Sequence, residues 1–159
     1  MSEAPARPTI APLLWYDRPR EAIAWLEKAF GFETEIIVAG DGDGVIHSEL
    51  TLGDGVIYVV GPPTGDHASA SPSQTGGKVT QSVCVNLREG LDAHCARARA
   101  AGARIEREPA DQSYGDRVYT CLDPEGHPWA FTQPRKVMSA QEMAAATGRR
   151  IETKERSHG

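Results

Sequence analysis

No run of apolar residues in this chain approaches the roughly 20 that a membrane-spanning helix requires, so a membrane is not an expected partner. Cysteine is scarce. Cys84, Cys95 and Cys121 are odd in number and never spaced as Cys-x-x-Cys, which argues for a reduced, cytoplasmic protein. Positive charge is in deficit, with 17 Lys and Arg against 22 Asp and Glu and a net charge of -5. Phosphate binding wants a basic face, so nucleic acid is not an expected partner either. Residues 1–8 are polar and rich in Pro and Ala, lack the apolar core of a secretory signal, and read as a loose arm. What is present is ordinary for a folded protein. The 159 residues are 40% hydrophobic and 25% charged, enough for one domain or two small fused modules with a proper core.

The most informative stretch runs from Arg117 to Phe131. An alternating strand enters the turn Asp123-Pro124-Glu125-Gly126 and a second strand leaves it. Pro presets φ for such a turn and Gly accepts its strained position. Alternation sets Val118, Thr120 and Leu122 against Arg117, Tyr119 and Cys121. The first set is expected to pack under a helix, and the second, polar and aromatic, to face a wet cavity. The same unit occurs from Val45 to Tyr58, where Ile46, Ser48 and Leu50 oppose His47, Glu49 and Thr51. Two copies of one strand–turn–strand unit imply an internal duplication.

Taken in order, Thr9 to Tyr16 reads as a strand with Pro12 favouring an edge position or a bulge. Asp17 is expected to cap a helix that has Pro19 in its first turn and ends at Gly31, with Ile23, Leu26 and Phe30 at helical spacing. Strands follow over residues 33–38, 45–52 and 56–60, and Gly40 to Gly44 forms a hairpin tip rather than a calcium loop. The second half repeats the order: a strand over 81–87, a helix over 91–101 stopped by Gly102, a strand over 104–108, a loop through Asp116, then the closing strand–turn–strand. Gly31 and Gly102 lie 71 positions apart and Tyr58 and Ala130 lie 72 apart, so the halves superpose with one insertion. The expected organisation is an arm at 1–8, a first βαβββ module at 9–61, a Gly/Pro/Ser/Thr-rich linker at 62–80, a second βαβββ module at 81–134, and a charged tail at 135–159 whose Ser139 to Met143 can start a short helix.

Two β-α-β-β-β modules, a helix ending in Ala-Phe-Gly-Phe, and Asp-Pro-Glu-Gly before a last apolar strand resemble the vicinal oxygen chelate superfamily, over about residues 9–134. Tyr-Gly-Asp-Arg followed by Asp-Pro-Glu-Gly-His-x-Trp is similar to its glyoxalase/bleomycin-resistance-like branch. The resemblance implies an α+β fold in which each module curls its sheet into a half-cup. Two modules then enclose a ligand cavity, within one chain or by swapping between chains. It also implies four metal-ligand positions in the metal-dependent members. Here those positions are Ala11, Tyr58, Ser82 and Ala130, none of them a strong ligand, so no metal or other cofactor is expected. Module pairing across chains, together with exposed sheet edges, makes a homodimer the expected assembly.

The candidate chemistry sits on the polar strand faces. His47 and Glu49, at i and i+2, point the same way and can act as base and orienter, hold a metal, or form a bonded pair that shapes the cavity wall. Arg117, beside Tyr114-Gly115, can recognise a carboxylate or phosphate, or pair with Asp116 or Asp111 to hold the loop. Tyr58, Tyr119 and Tyr114 are candidate ligand contacts. Ser82, Cys84 and Asn86 share a strand face expected to look inward. Trp129 is expected under a helix, Cys84 and Cys121 as inert buried thiols, and His94 and His127 as surface or capping residues. The repeat, read at an offset of 72, aligns His47 with Tyr119 and Glu49 with Cys121, so His47, Glu49, Arg117 and Tyr119 are expected to line one pocket. Three functions compete: a binding protein for a small organic, possibly anionic, ligand; a lyase or isomerase using His47 and Glu49; and a dimerisation or regulatory module without ligand.

Overall fold

Gly31 and Gly102 stop two helices that occupy equivalent places in two copies of one motif. The computed structural model describes residues 7–154. The first copy is β1 (Leu13–Trp15), α1 (Pro19–Phe30), β2 (Glu33–Ala39), β3 (Val45–Leu52) and β4 (Gly55–Val60). The second is β5 (Val83–Asn86), α2 (Leu91–Ala100), β6 (Arg104–Asp111), β7 (Asp116–Leu122) and β8 (Pro128–Pro134), with α3 (Ala140–Thr147) after it. Each copy builds its own four-stranded mixed sheet, in the order β1-β4-β3-β2 or β5-β8-β7-β6. This is the α+β, two-module layout expected from the sequence.

Local chemistry accounts for the elements and for several departures. Ile23, Leu26, Ala29 and Phe30 bury one stripe of α1, and Gly31 ends it at φ 83°, donating to the Glu27 carbonyl. Asp17 does not cap this helix. Its carboxylate instead accepts hydrogen bonds from Ser71, at 2.5 Å, and Ser73, and these hold its pKa below the usual carboxylate range. The helix start is closed from the other module, where Glu125 accepts the N–H groups of Asp17 at 2.6 Å and Arg18 at 3.1 Å. The first strand is three residues long rather than running from Thr9 to Tyr16, although the Pro12 carbonyl still accepts from Tyr58 N–H at 2.8 Å. β6 passes the expected end at Glu108, because register shifts between Arg107 and Ala110 carry the ladder around Pro109 to the Asp111–Arg117 pair. The 62–80 segment is not featureless: Pro72–Thr75 forms a 3-10 turn, and Ser71 and Pro72 are buried. In the tail, Ser139 and Glu142 form a capping box that starts α3.

Both helices pack on each other and on their own sheets. One apolar core runs through both modules, with Phe30 of α1 against Trp129 and Phe131 of β8 at ring distances of 5.0 and 4.7 Å. In the first sheet Leu50, Ile57 and Val59 enter this core, so His47, Glu49 and Tyr58 face away from the helices, as expected. In the second sheet the expectation is reversed. Tyr119 and Cys121 are fully buried on the helix side, and Val118, Thr120 and Leu122 face away. The cause is the place of the inserted residue. Glu49 pairs with Tyr58 nine positions on (58 − 49), whereas Thr120 pairs with Ala130 ten positions on (130 − 120). The extra residue therefore lies in the second hairpin turn, and everything before that turn superposes at 71, the spacing of the helix-ending glycines. Glu49 corresponds to Thr120, not Cys121, and His47 to Val118, not Tyr119. A slip of one residue turns every side chain to the other face.

The Asp123 carboxylate joins the modules. One oxygen accepts the Tyr16 hydroxyl at 2.6 Å and Trp129 Nε1 at 3.1 Å, and the other accepts the N–H groups of Glu125 and His127, both at 3.0 Å. Asp123→Ala leaves three buried donors short of a partner and is expected to lower the unfolding free energy by about 3 kcal/mol in urea denaturation. Tyr16→Phe, which removes one bond, is expected to cost about 1–2 kcal/mol.

Candidate functional site

Strand register gathers three of the candidate residues on the open face of the first sheet. Glu49 pairs with Tyr58 on one side and Ile36 on the other, His47 pairs with Val38, and Leu13 pairs with Tyr58. His47 Nε2 lies 3.1 Å from Glu49 Oε1, and the His47 and Tyr58 rings are 4.9 Å apart. The Arg7 guanidinium reaches the same Glu49 oxygen at 3.1 Å. Around this polar group the face is apolar and uncovered: Leu13, Ile36 and Val38 are 45%, 48% and 41% exposed.

The free edges β1 and β5 meet beside this face. Ala11 and Leu13 on one side and Gln81 and Ser82 on the other line a cleft of about 520 Å³ that His127 also borders. A second hollow of about 360 Å³ shares Leu13, Gln81 and His127 and is walled by Trp15 and the 68–80 segment. Volumes of this size suit a small organic molecule.

The remaining candidates lie elsewhere. Tyr119 sits under α2, where its hydroxyl is 2.7 Å from His94 Nδ1. His94 Nε2 donates to the Phe30 carbonyl at 2.9 Å, so Nδ1 is the acceptor for the Tyr119 hydroxyl. Burial lowers the His94 pKa and raises that of Tyr119. Arg117 is on the same side as Tyr119. Its guanidinium contacts Asp92 of α2 at 3.0–3.2 Å and Asp111 at 3.0 Å. It thus takes the loop-holding role, with Asp92 as a partner the sequence did not single out. Tyr114 is exposed in the β6–β7 turn. His47, Glu49, Arg117 and Tyr119 therefore do not share a pocket: the first two stand on an open sheet face and the last two on the helix side of the other sheet. Cys121 is buried, which pushes its thiol pKa up to about 12, but Cys84 is exposed rather than buried. His94 is half-buried and His127 is buried, rather than on the surface or at caps. For His127 the signal was legible, since it alternates in phase with Trp129 and Phe131, both fully buried.

Residues 9–131 match the family model of the Glyoxalase/Bleomycin resistance protein/Dioxygenase superfamily. The chain belongs to this superfamily. An uncharacterized protein of Mycobacterium tuberculosis (strain ATCC 25618 / H37Rv), Rv0887c, is 31% identical over 142 residues, covering 87% of this chain and 82% of the relative. Among solved structures, TioX from Micromonospora sp. ML1 superposes with a TM-score of 0.63 at 33% identity, over 79% of this chain and 97% of that one. The genomically encoded fosfomycin resistance protein FosX from Listeria monocytogenes shares the fold, with a TM-score of 0.58 at 12% identity over 87% and 98% of the two chains.

The metal of metal-dependent superfamily members has no fitting donor set at its expected positions. Ala11 and Ser82 line the β1–β5 cleft, Tyr58 lies next to Leu13, and Ala130 pairs with Cys84 and Thr120. Two methyl groups, a hydroxyl and a phenol do not supply the three or more His, Asp, Glu or Cys donors that catalytic divalent sites use.

Two measurements check these placements. Arg117→Ala is expected to lower the melting temperature slightly and leave small-molecule binding unchanged, because its partners are surface carboxylates. The His94 pKa is depressed in the folded state, so the unfolded chain binds the extra proton first. Stability is then expected to be full above the unfolded value of about 6.5 and to fall as pH drops through the folded one. Denaturant titrations from pH 7.5 to 5 are expected to show a shallower loss in a His94→Gln variant than in the wild type.

Proposed function

We propose that the protein binds a small organic molecule in the cup formed by its two open sheet faces and the β1–β5 cleft, and that it does so without a divalent metal. The observation that carries this reading is the pairing of a cleft of about 520 Å³ with an uncovered sheet face whose polar centre is the His47–Glu49–Tyr58 group. A dry dimerisation module would not expose such a group beside an open volume. The anionic preference rested on Arg117, which is already matched by two carboxylates. The carboxylate of Glu49 is likewise matched, by Arg7 and His47, so neither charge sets a preference, and the apolar body of a ligand lies on Leu13, Ile36 and Val38.

One contact favours a second reading. A histidine held by a carboxylate at 3.1 Å is the arrangement of a general base and its orienter. In that case the protein is a lyase or isomerase in which His47 removes a proton from the bound substrate. A homodimer fits either reading. β2 is an edge strand whose unpaired backbone groups a second copy can pair with, which leaves Ile36 and Val38 on the face beside Glu49 and His47.

A thermal-shift screen of small metabolites tests the reading, since a ligand of the native state raises its melting temperature. His47→Ala and Glu49→Gln are expected to weaken a confirmed ligand by roughly tenfold without lowering the melting temperature of the free protein, the loss of about one buried hydrogen bond. Elemental analysis of protein purified without chelator is expected to find no stoichiometric zinc, nickel, cobalt or manganese. A stoichiometric ion, or turnover of a substrate that stops in His47→Ala, would move the conclusion to enzyme chemistry. Sedimentation at micromolar concentration is expected to give a dimer.

A further inference from the structure

We propose that Nδ1 of His127 is the atom that recognises ligands in the β1–β5 cleft, by accepting a hydrogen bond from an O–H or N–H group on a flat, largely apolar molecule. This deepens the reading of the cup as a ligand site and rests on it, by naming the ligand's chemistry.

His127 is only 8% exposed, and its ring is fixed on several sides. Its backbone N–H donates to Asp123 at 3.0 Å, and the ring lies 4.5 Å from that of Tyr16. Its Nε2 is 2.8 Å from the Trp15 carbonyl. A carbonyl can only accept, so Nε2 carries the proton, and the neutral ring keeps its lone pair on Nδ1. Among the described residues, no group donates to that nitrogen. The contrast with His94 is instructive. There the same tautomer is set by the Phe30 carbonyl, and the Tyr119 hydroxyl closes Nδ1. His127 has no such hydroxyl, and it borders both hollows of the seam.

The walls define the rest of the ligand. Leu13 and Pro128 are apolar, the Trp15 ring stands in the adjoining wall, and the space lies between two strand edges. The apolar walls suit a small, largely apolar body, for which a two-ring aromatic is the probe. An acceptor set in a mostly buried ring discriminates strongly, because a ligand without a donor leaves it unpaired on binding. A methyl ether of the same shape also turns an oxygen lone pair toward the nitrogen lone pair.

The experiment compares 2-naphthol with 2-methoxynaphthalene on the full chain. Titrations are followed by fluorescence and by long-range proton–nitrogen NMR of histidine-labelled protein, with the His127 ring assigned by its loss in His127→Gln. The free protein is expected to show His127 with its proton on Nε2. Addition of 2-naphthol is expected to shift the His127 Nδ1 signal and leave His94 in place, and 2-naphthol is expected to bind at least tenfold more tightly than the ether. His127→Phe, which keeps a flat ring, is expected to abolish that difference, and His47→Ala to preserve it. A His127 proton on Nδ1, equal binding of the two naphthalenes, or binding that leaves the His127 nitrogens unmoved overturns the inference, and the NMR result stands on the wild type alone if the variant does not fold. Failure of both naphthalenes to bind overturns it as well, while the metabolite screen decides the cup reading separately.

Discussion

Asp123 accepts four hydrogen bonds from inside the fold, and the relation between the two modules depends on it. Two of the donors belong to its own turn, one to the core tryptophan of β8, and one, Tyr16, to the other module. The same turn sends Glu125 to close the start of α1 and His127 to hold the Trp15 carbonyl. A carboxylate buried this deeply is stable only because each neighbouring donor is aimed at it. The turn therefore acts as a clasp. It draws the end of β1 toward β8, and so brings the free edge of β1 beside that of β5, where the cleft forms.

The shared helical layer completes the arrangement. Once α1 and α2 cover one face of each sheet and Phe30 fills the space beneath β8, the opposite faces are left to solvent or ligand. The fold itself carries no chemistry, so the side chains on those faces matter more than the architecture. In this chain they present His47, Glu49 and Tyr58 from the first sheet. From the second they present Val118, Thr120, Leu122 and Ala130, with Arg107 opposite Thr120 on the neighbouring strand. The strongest charges of the second module, Arg117 with Asp92 and Asp111, hold its outer loop and stay clear of that face.

The fold was legible because periodicity and turn chemistry are local. Gly31 and Gly102, the Asp-Pro-Glu-Gly turn and the alternating strands each declare themselves within a few residues, and the duplication repeats them. Half of the candidate site was legible for the same reason: His47 and Glu49 face away from Leu50 by simple alternation. The other half was misread because one inserted residue was assigned no place. The helix-ending glycines at 71 and the last strands at 72 already bracketed it, and only a position in the second turn puts Tyr119 and Cys121 in the core.

By itself, the sequence determined the two-module α+β fold, the family, the open face of the first sheet and the lack of strong donors at Ala11, Tyr58, Ser82 and Ala130. These follow from residue identity and short-range spacing. Tertiary structure alone decided the pairing of Arg117 with Asp92, the packing of Tyr119 against His94, the capping of α1 by a glutamate 107 positions away from Arg18, and the cleft between β1 and β5. Each of these joins groups far apart in the chain. Such contacts are set by how two sheets and two helices share one core, and no local pattern encodes that packing.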